Sequence, residues 1–142
     1  ETRVATDGKP YIMEVAPRGG GNRLCEMLRF ATGGNTDLVT AAVQAALGMS
    51  VGELTMPRYD GLWYQEMLHS GNAGTFLGVE YAPGFLDAHV AEEQLWVEPG
   101  ERVEAFTAAN HAFGSVFLKF DDKDEFATFL SDPHKFMRVR VR

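Results

Sequence analysis

Apolar positions change their spacing along the chain, from helical periods in the first fifty residues to strand-like segments after them. Apolar residues three and four positions apart predict one helix between Asn22 and Gly33 and a second from about residue 37 to 47. Asn22 and Thr36 are the candidate N-caps, and we expect both helices to pack on a core. The apolar positions are Leu24, Met27, Leu28 and Ala31 in the first helix, and Leu38, Val39, Ala42, Val43, Ala46 and Leu47 in the second.

Shorter segments with β-compatible residues follow from about Gly61, separated by turn signals. A further helix is predicted to begin at Asp122 and to end at Pro133, and an alternating segment after it predicts a half-buried strand. The pattern predicts an α+β fold, an antiparallel sheet with a few packing helices. Residues 1–50 would hold a hairpin, a glycine loop and two helices, and residues 51–142 a β-rich subdomain with one helix. The predicted strands before that helix are 62–68, 75–81, 89–97, 103–107 and 114–120.

The hairpin at the start of the chain suggests a site for a cation. Asp7-Gly8 is typical of a two-residue turn, and with this turn the paired positions sum to fifteen, so that Glu1 lies opposite Glu14. Facing carboxylates destabilise a sheet, whereas Mg²⁺ prefers oxygen ligands of this kind. The alternatives are that both glutamates are solvated on an open sheet face, or that Glu1 frays as the first residue.

A glycine-rich loop follows Glu14 and leads into the first helix. It contains Arg18, the run Gly19 to Gly21, and Asn22. Glycine lets the backbone approach a phosphate closely, and a helix N-terminus favours an anion. The alternatives are a loop of no special role, with Asn22 only a helix cap and Arg23 a solvated side chain of the first turn.

Composition narrows the classes of partner. The net charge of -7 and a pI near 5.0 argue against a nucleic-acid or anionic membrane surface. One cysteine, Cys25, excludes an internal disulfide, and no apolar run approaches the ~20 residues of a membrane span. We therefore expect a cytoplasmic protein, and a homodimer is one possible assembly. The start at Glu1 without methionine suggests a processed or excised fragment.

The run from Asp7 to Gly21, DGKPYIMEVAPRGGG, resembles the C-terminal subdomain of the ATP-grasp superfamily, as do Ala31-Thr32-Gly33 and Asp37-Leu38 after it. The resemblance implies ATP and Mg²⁺ as cofactors, with Glu1 and Glu14 as the metal ligands. It also implies that Arg18, as the catalytic residue, holds the γ-phosphate and then an acyl phosphate. Residues Gly19, Gly20, Gly21 and Asn22 are implied to help bind the nucleotide.

One position departs from the family pattern. Ala16 stands where most members have a metal-ligating asparagine, and the Glu-x-Ala-x-Arg form resembles the L-amino acid ligase branch. The resemblance is specific over residues 1 to about 50 and looser over 51–142. It implies a ligase that joins a small-molecule carboxylate to an amine through an acyl phosphate. It also implies that N-terminal ATP-binding domains of the same polypeptide are missing here, so that the fragment alone is inactive. A carboxylase, a carbamoyl-phosphate-synthase-like enzyme and a non-catalytic binding module stay as alternatives.

Overall fold

A computed structural model describes residues 2–16, 20–52 and 56–142. In these ranges the chain forms a short hairpin, two helices and then a β-rich layer, which confirms the predicted α+β class. The strands are β1 Thr2–Val4, β2 Pro10–Ile12, β3 Leu62–Leu68, β4 Gly74–Tyr81, β5 Val90–Leu95, β6 Arg102–Val103, β7 Gly114–Phe120 and β8 Met137–Val141. The α-helices are α1 Leu24–Ala31, α2 Leu38–Ala46, α3 Phe85–His89 and α4 Lys123–Ser131, and single 3₁₀ turns lie at Ala109–His111 and Pro133–Lys135.

The hairpin of β1 and β2 has a register one residue away from the prediction. Thr2 pairs with Ile12, Arg3 with Tyr11, and Val4 with Pro10, so paired positions sum to fourteen. The loop holds three residues, because Ala5 N–H donates to Lys9 O at 3.0 Å and Gly8, at φ 77°, takes the left-handed position that closes such a loop. The predicted two-residue turn is therefore wrong, and the register that opposed Glu1 to Glu14 no longer supports that pairing.

The two predicted helices exist, but their caps differ from the prediction. Asn22 does not cap α1, since it has a left-handed backbone and the helix begins after Arg23 without a side-chain cap. Asp37, and not Thr36, caps α2 by accepting the N–H groups of Val39 and Thr40 at 3.1 and 3.0 Å.

The predicted burial of α2 is wrong. No residue of this helix is buried, and Val39 and Val43 are 53% and 55% exposed. By contrast α1 is held to the sheet, because the Phe30 ring lies 5.5 Å from Phe117 and 6.1 Å from Trp63. Of these two helices, only α1 has a buried residue in the described chain, namely Ala31.

The β-rich layer consists of two antiparallel sheets that share one core. The strand orders are β3-β7-β5 and β6-β4-β8. Strands β3 and β7 match their predicted bounds, whereas the segment predicted as 89–97 is a strand only over Val90–Leu95 and that predicted as 103–107 only over Arg102–Val103. The short helix α3 was not predicted. The buried core residues are Leu68, Phe76, Phe85, Val103, Phe113, Val116, Leu118, Phe120, Phe129 and Met137.

Helix α4 begins at the predicted cap, Asp122. The Asp122 carboxylate accepts from the N–H groups of Asp124 and Glu125 at 2.8 and 2.9 Å. Phe129 is fully buried on its inner side. None of the helices in the described ranges has the length and apolar character that a bilayer span requires.

Candidate functional site

Glu14 lies two residues beyond the end of β2 and lines an open cavity of about 730 Å³. Gly20 and Gly21, which precede α1, also line this cavity. A carboxylate and a stretch of glycine backbone therefore border one space large enough for a phosphate-bearing ligand. The other lining residues are Thr2, Ile12, Val15, Ala16 and Leu24.

The two described glycines of the loop have different surroundings. A β-carbon on Gly20 would lie 2.6 Å from Leu24 Cδ1, so any side chain there would push Leu24 aside. A β-carbon on Gly21 would meet no atom within 4 Å. The missing side chain at Gly20 thus lets the loop backbone pass close to Leu24 of α1. The missing side chain at Gly21 leaves the space beside the cavity open.

The loop ends in a left-handed turn. Asn22 and Arg23 have φ of 55° and 60°, and they are the non-glycine residues with positive φ among those described. Leu24 N–H donates to Gly21 O at 3.2 Å and closes the turn. Gln65 Nε2 of β3 donates to Asn22 O. The backbone of this turn is therefore strained and tied to the sheet.

Arg23 is anchored, contrary to the alternative that it is a solvated side chain. Its two terminal nitrogens donate to Ser115 Oγ at 2.9 Å and to Glu92 Oε1 at 2.8 Å, and its guanidinium lies 4.7 Å above the Phe117 ring. Sequence reasoning could not assign this role, because Glu92 lies 69 positions and Ser115 lies 92 positions further along the chain than Arg23.

Three of the predicted site residues, Glu1, Arg18 and Gly19, lie outside the described residues. Of the others, Glu14, Gly20 and Gly21 meet around the cavity, and Asn22 lies in the turn behind it. Their predicted roles stay predictions. Within the described ranges, no three His, Cys, Asp or Glu side chains are grouped so that they could hold a metal ion.

A second cavity, of about 640 Å³, opens between β3 and β8. Tyr64 Oη donates to Glu66 Oε2 at 2.7 Å, and burial, together with this bond, raises the pKa of Tyr64 to about 12. His69 and His134 also line it, although each belongs to a separate segment. Arg138, which also lines this cavity, donates through Nε to His134 O at 2.6 Å.

Parts of two solved enzyme structures share this fold, and their fold is the one that the resemblance noted in the sequence predicts. The L-amino acid ligase from Bacillus licheniformis superposes with a TM-score of 0.71 at 18% identity, over 99% of this chain and 35% of the ligase. The phosphoribosylglycinamide synthetase from Anaerococcus prevotii gives 0.62 at 15% identity, over 97% of this chain and 35% of the synthetase.

The similarity is therefore one of fold, and it covers little more than a third of each neighbour. No protein-family model matches the sequence, and no curated protein matches it.

Proposed function

We propose that this chain is the C-terminal part of an ATP-dependent ligase that joins a carboxylate to an amine. The observation that carries the proposal is the single cavity bordered by Glu14, Gly20 and Gly21. The cavity lies in a fold that an L-amino acid ligase shares over 99% of this chain. A carboxylate beside glycine backbone at the start of a helix suits a metal-bound polyphosphate.

Each residue has a proposed task in that site. Glu14, with Glu1, would hold Mg²⁺, a hard cation that prefers carboxylate oxygens and neutralises phosphate charge when bound. Ala16 has no ligating atom. Gly20, Gly21 and the turn at Asn22 would bring backbone N–H groups to the phosphates, and Arg18 would hold the transferred phosphoryl group.

The proposed reaction has two steps. A substrate carboxylate oxygen attacks the γ-phosphorus of ATP, the bond to the β-phosphate oxygen breaks, and ADP leaves. The amine nitrogen then attacks the acyl carbon, the carbon–oxygen bond to phosphate breaks, and a proton is lost as the amide forms. The protein's contribution is to position the reactants and to balance charge.

The chain spans 35% of both neighbours. We infer that ATP-binding domains of a longer polypeptide complete the site and that the 142-residue chain alone is inactive. Apolar side chains beside the cavity support this inference, because Ile12 and Val15 are 73% and 81% exposed. Exposed apolar patches of this kind mark surfaces that other parts of a protein cover.

The test uses the full-length polypeptide that contains this chain. Phosphate release from ATP is measured with a panel of carboxylates and amines, with Mg²⁺ present and then chelated. The proposal predicts release that needs the metal, an acid and an amine together, and a loss of at least about a hundredfold in Glu14→Gln. Release with bicarbonate in place of a substrate acid would indicate the carboxylase or carbamoyl-phosphate alternative. No release from a folded protein would contradict ligase function.

A further inference from the structure

The turn at the end of the glycine loop carries an arginine where its backbone favours glycine. Consecutive left-handed central residues are the pattern of a type I′ turn, in which Asn-Gly is the preferred pair. Here the pair is Asn22-Arg23, at φ 55° and 60°. A β-carbon makes the left-handed region unfavourable, although asparagine tolerates it better than most residues. Backbone preference therefore does not explain why position 23 holds an arginine, and the explanation must lie in the contacts of its side chain.

The Arg23 side chain reaches two strands of the sheet β3-β7-β5. It donates to Glu92 of β5 at 2.8 Å and to the fully buried Ser115 of β7 at 2.9 Å. The third strand, β3, holds the same turn through Gln65, which donates to Asn22 O. Three strands thus fix one four-residue turn.

The partner of Arg23 depends on it in return. Glu92 Oε2 is buried and has no hydrogen-bond partner, so within the described chain the carboxylate is compensated through Oε1 and Arg23. A buried carboxylate oxygen without a donor is costly and calls for an explanation. The Arg23–Glu92 ion pair therefore costs stability. Local costs of this kind persist in proteins where the residues concerned hold a functional segment in place.

We propose that Arg23 is a positioning residue for the glycine loop. By tying the turn at 21–24 to Glu92 and Ser115, it sets where Gly20 and Gly21 stand in the cavity beside Glu14. It acts through the loop and does not itself touch the ligand. The inference rests on the proposed function in one respect, namely that the loop's ligand is a Mg²⁺-bound polyphosphate.

The test compares Arg23→Gly/Glu92→Gln with Glu92→Gln alone. Glycine suits the left-handed backbone, and glutamine avoids a stranded charge, so both proteins are expected to fold. Hydrogen exchange of the Leu24 amide reports closure of the turn, and titration with Mg²⁺ and tripolyphosphate reports the cavity. We expect Leu24 exchange to become at least about tenfold faster, with exchange at Val116 and Leu118 unchanged. Affinity should fall roughly tenfold to a hundredfold, as for other losses of supporting contacts.

Two further variants separate positioning from charge. Arg23→Lys can still pair with Glu92 but lacks the forked geometry that also reaches Ser115, so we expect partial recovery of affinity. Arg102→Ala removes an arginine whose side chain is 75% exposed and should change neither readout.

The outcomes are distinguishable. Unchanged Leu24 exchange in the double variant would overturn the inference, whatever the affinity. Faster exchange with the affinity of Glu92→Gln would also overturn it, because the turn would then not position the site. If even the unmodified chain fails to bind Mg²⁺ and tripolyphosphate while Leu24 exchange accelerates, the phosphate role of the loop is refuted and anchoring by Arg23 stands.

Discussion

The two halves of the chain bury their apolar side chains to different extents. In the described part of the first 52 residues, Ala31 and Thr32 are the buried residues, while the hydrophobic core cluster lies between Leu68 and Met137. Val4, Ile12 and Leu47 are 70%, 73% and 70% exposed. In the described range 56–142, Met56 and Tyr59 are 89% and 65% exposed, and from residue 60 onward no large apolar side chain exceeds 47% exposure.

The difference separates the source of stability from the location of the candidate site. The β-rich layer has a core of its own, whereas the hairpin region and α2 expose apolar side chains, among which Ile12 and Val15 line the cavity with Glu14. Packed rings join the two regions at α1, where Phe30 lies against Trp63 and Phe117. Under the proposed function, the exposed region is where the rest of a ligase would pack.

The largest expected effect comes from one substitution made in each region. Leu118 is fully buried and Leu47 is 70% exposed. Leu118→Ala should lower the free energy of unfolding by about 2–5 kcal/mol, and Leu47→Ala by less than about 0.5 kcal/mol. Urea unfolding measures both. Equal losses would mean that α2 is buried in solution, against the comparison.

A smaller effect is expected from Gly61→Ala. Gly61 has φ 80°, and an added β-carbon would lie 2.8 Å from Lys119 Cε and 3.0 Å from the Phe120 carbonyl oxygen. Backbone strain and overpacking together should cost about 2–3 kcal/mol of global stability.

Gly8→Ala is the matched control, since Gly8 has φ 77° but open space around it. It should loosen the hairpin without moving the urea midpoint. A large shift of the midpoint would show that the hairpin belongs to the global folding unit.

The helix caps give a third contrast of about 1 kcal/mol. Asp122 caps the core-packed α4, so Asp122→Ala should lower global stability by roughly 1 kcal/mol. Asp37 caps the exposed α2 in the same way, but Asp37→Ala should speed amide exchange in α2 alone. Exchange and urea unfolding, measured on both variants, test the pair. A global loss in Asp37→Ala would contradict local unfolding of α2.

The smallest effect is a pH dependence of α2. Hydrogen bonds from Thr40 hold the pKa of Asp37 below its usual value. A lowered pKa in the folded helix means that the cap contributes fully above the unfolded pKa and is lost as pH falls through the folded value. The protection of the α2 amides, measured as exchange relative to the intrinsic rate at each pH, should therefore fall below about pH 4, before that of the β-rich layer. Asp37→Asn, which keeps a capping oxygen, should remove this step, and an unchanged profile would contradict the assignment.

Local sequence patterns predicted the elements whose residues face a core. Strands β3 and β7 match their predicted bounds, and Asp122 caps α4 as expected. The misses arise where a pattern has more than one structural solution. Asp7-Gly8 fits a two-residue turn and also a three-residue loop with Gly8 at its left-handed position, and the second occurs. Apolar spacing in α2 predicted a buried face, but spacing does not reveal what covers that face.

The candidate site was only partly readable from the sequence. Adjacency along the chain was enough to bring Glu14 close to Gly20 and Gly21, which line one cavity. The prediction that Asn22 caps the first helix was wrong, because Asn22 and Arg23 form a left-handed turn before that helix. In this turn the Arg23 side chain donates to Glu92 and Ser115. These partners lie in strands far along the chain, and no local pattern encodes them.

The most direct test of a phosphate site beside Glu14 is an NMR titration of the chain with Mg²⁺ and tripolyphosphate. We predict amide shifts concentrated in the segments 14–16 and 18–22, which Glu14→Gln abolishes without unfolding the protein. Shifts at Tyr64, His69 and His134 in the second cavity instead, or no shift at all up to millimolar ligand, would contradict the account.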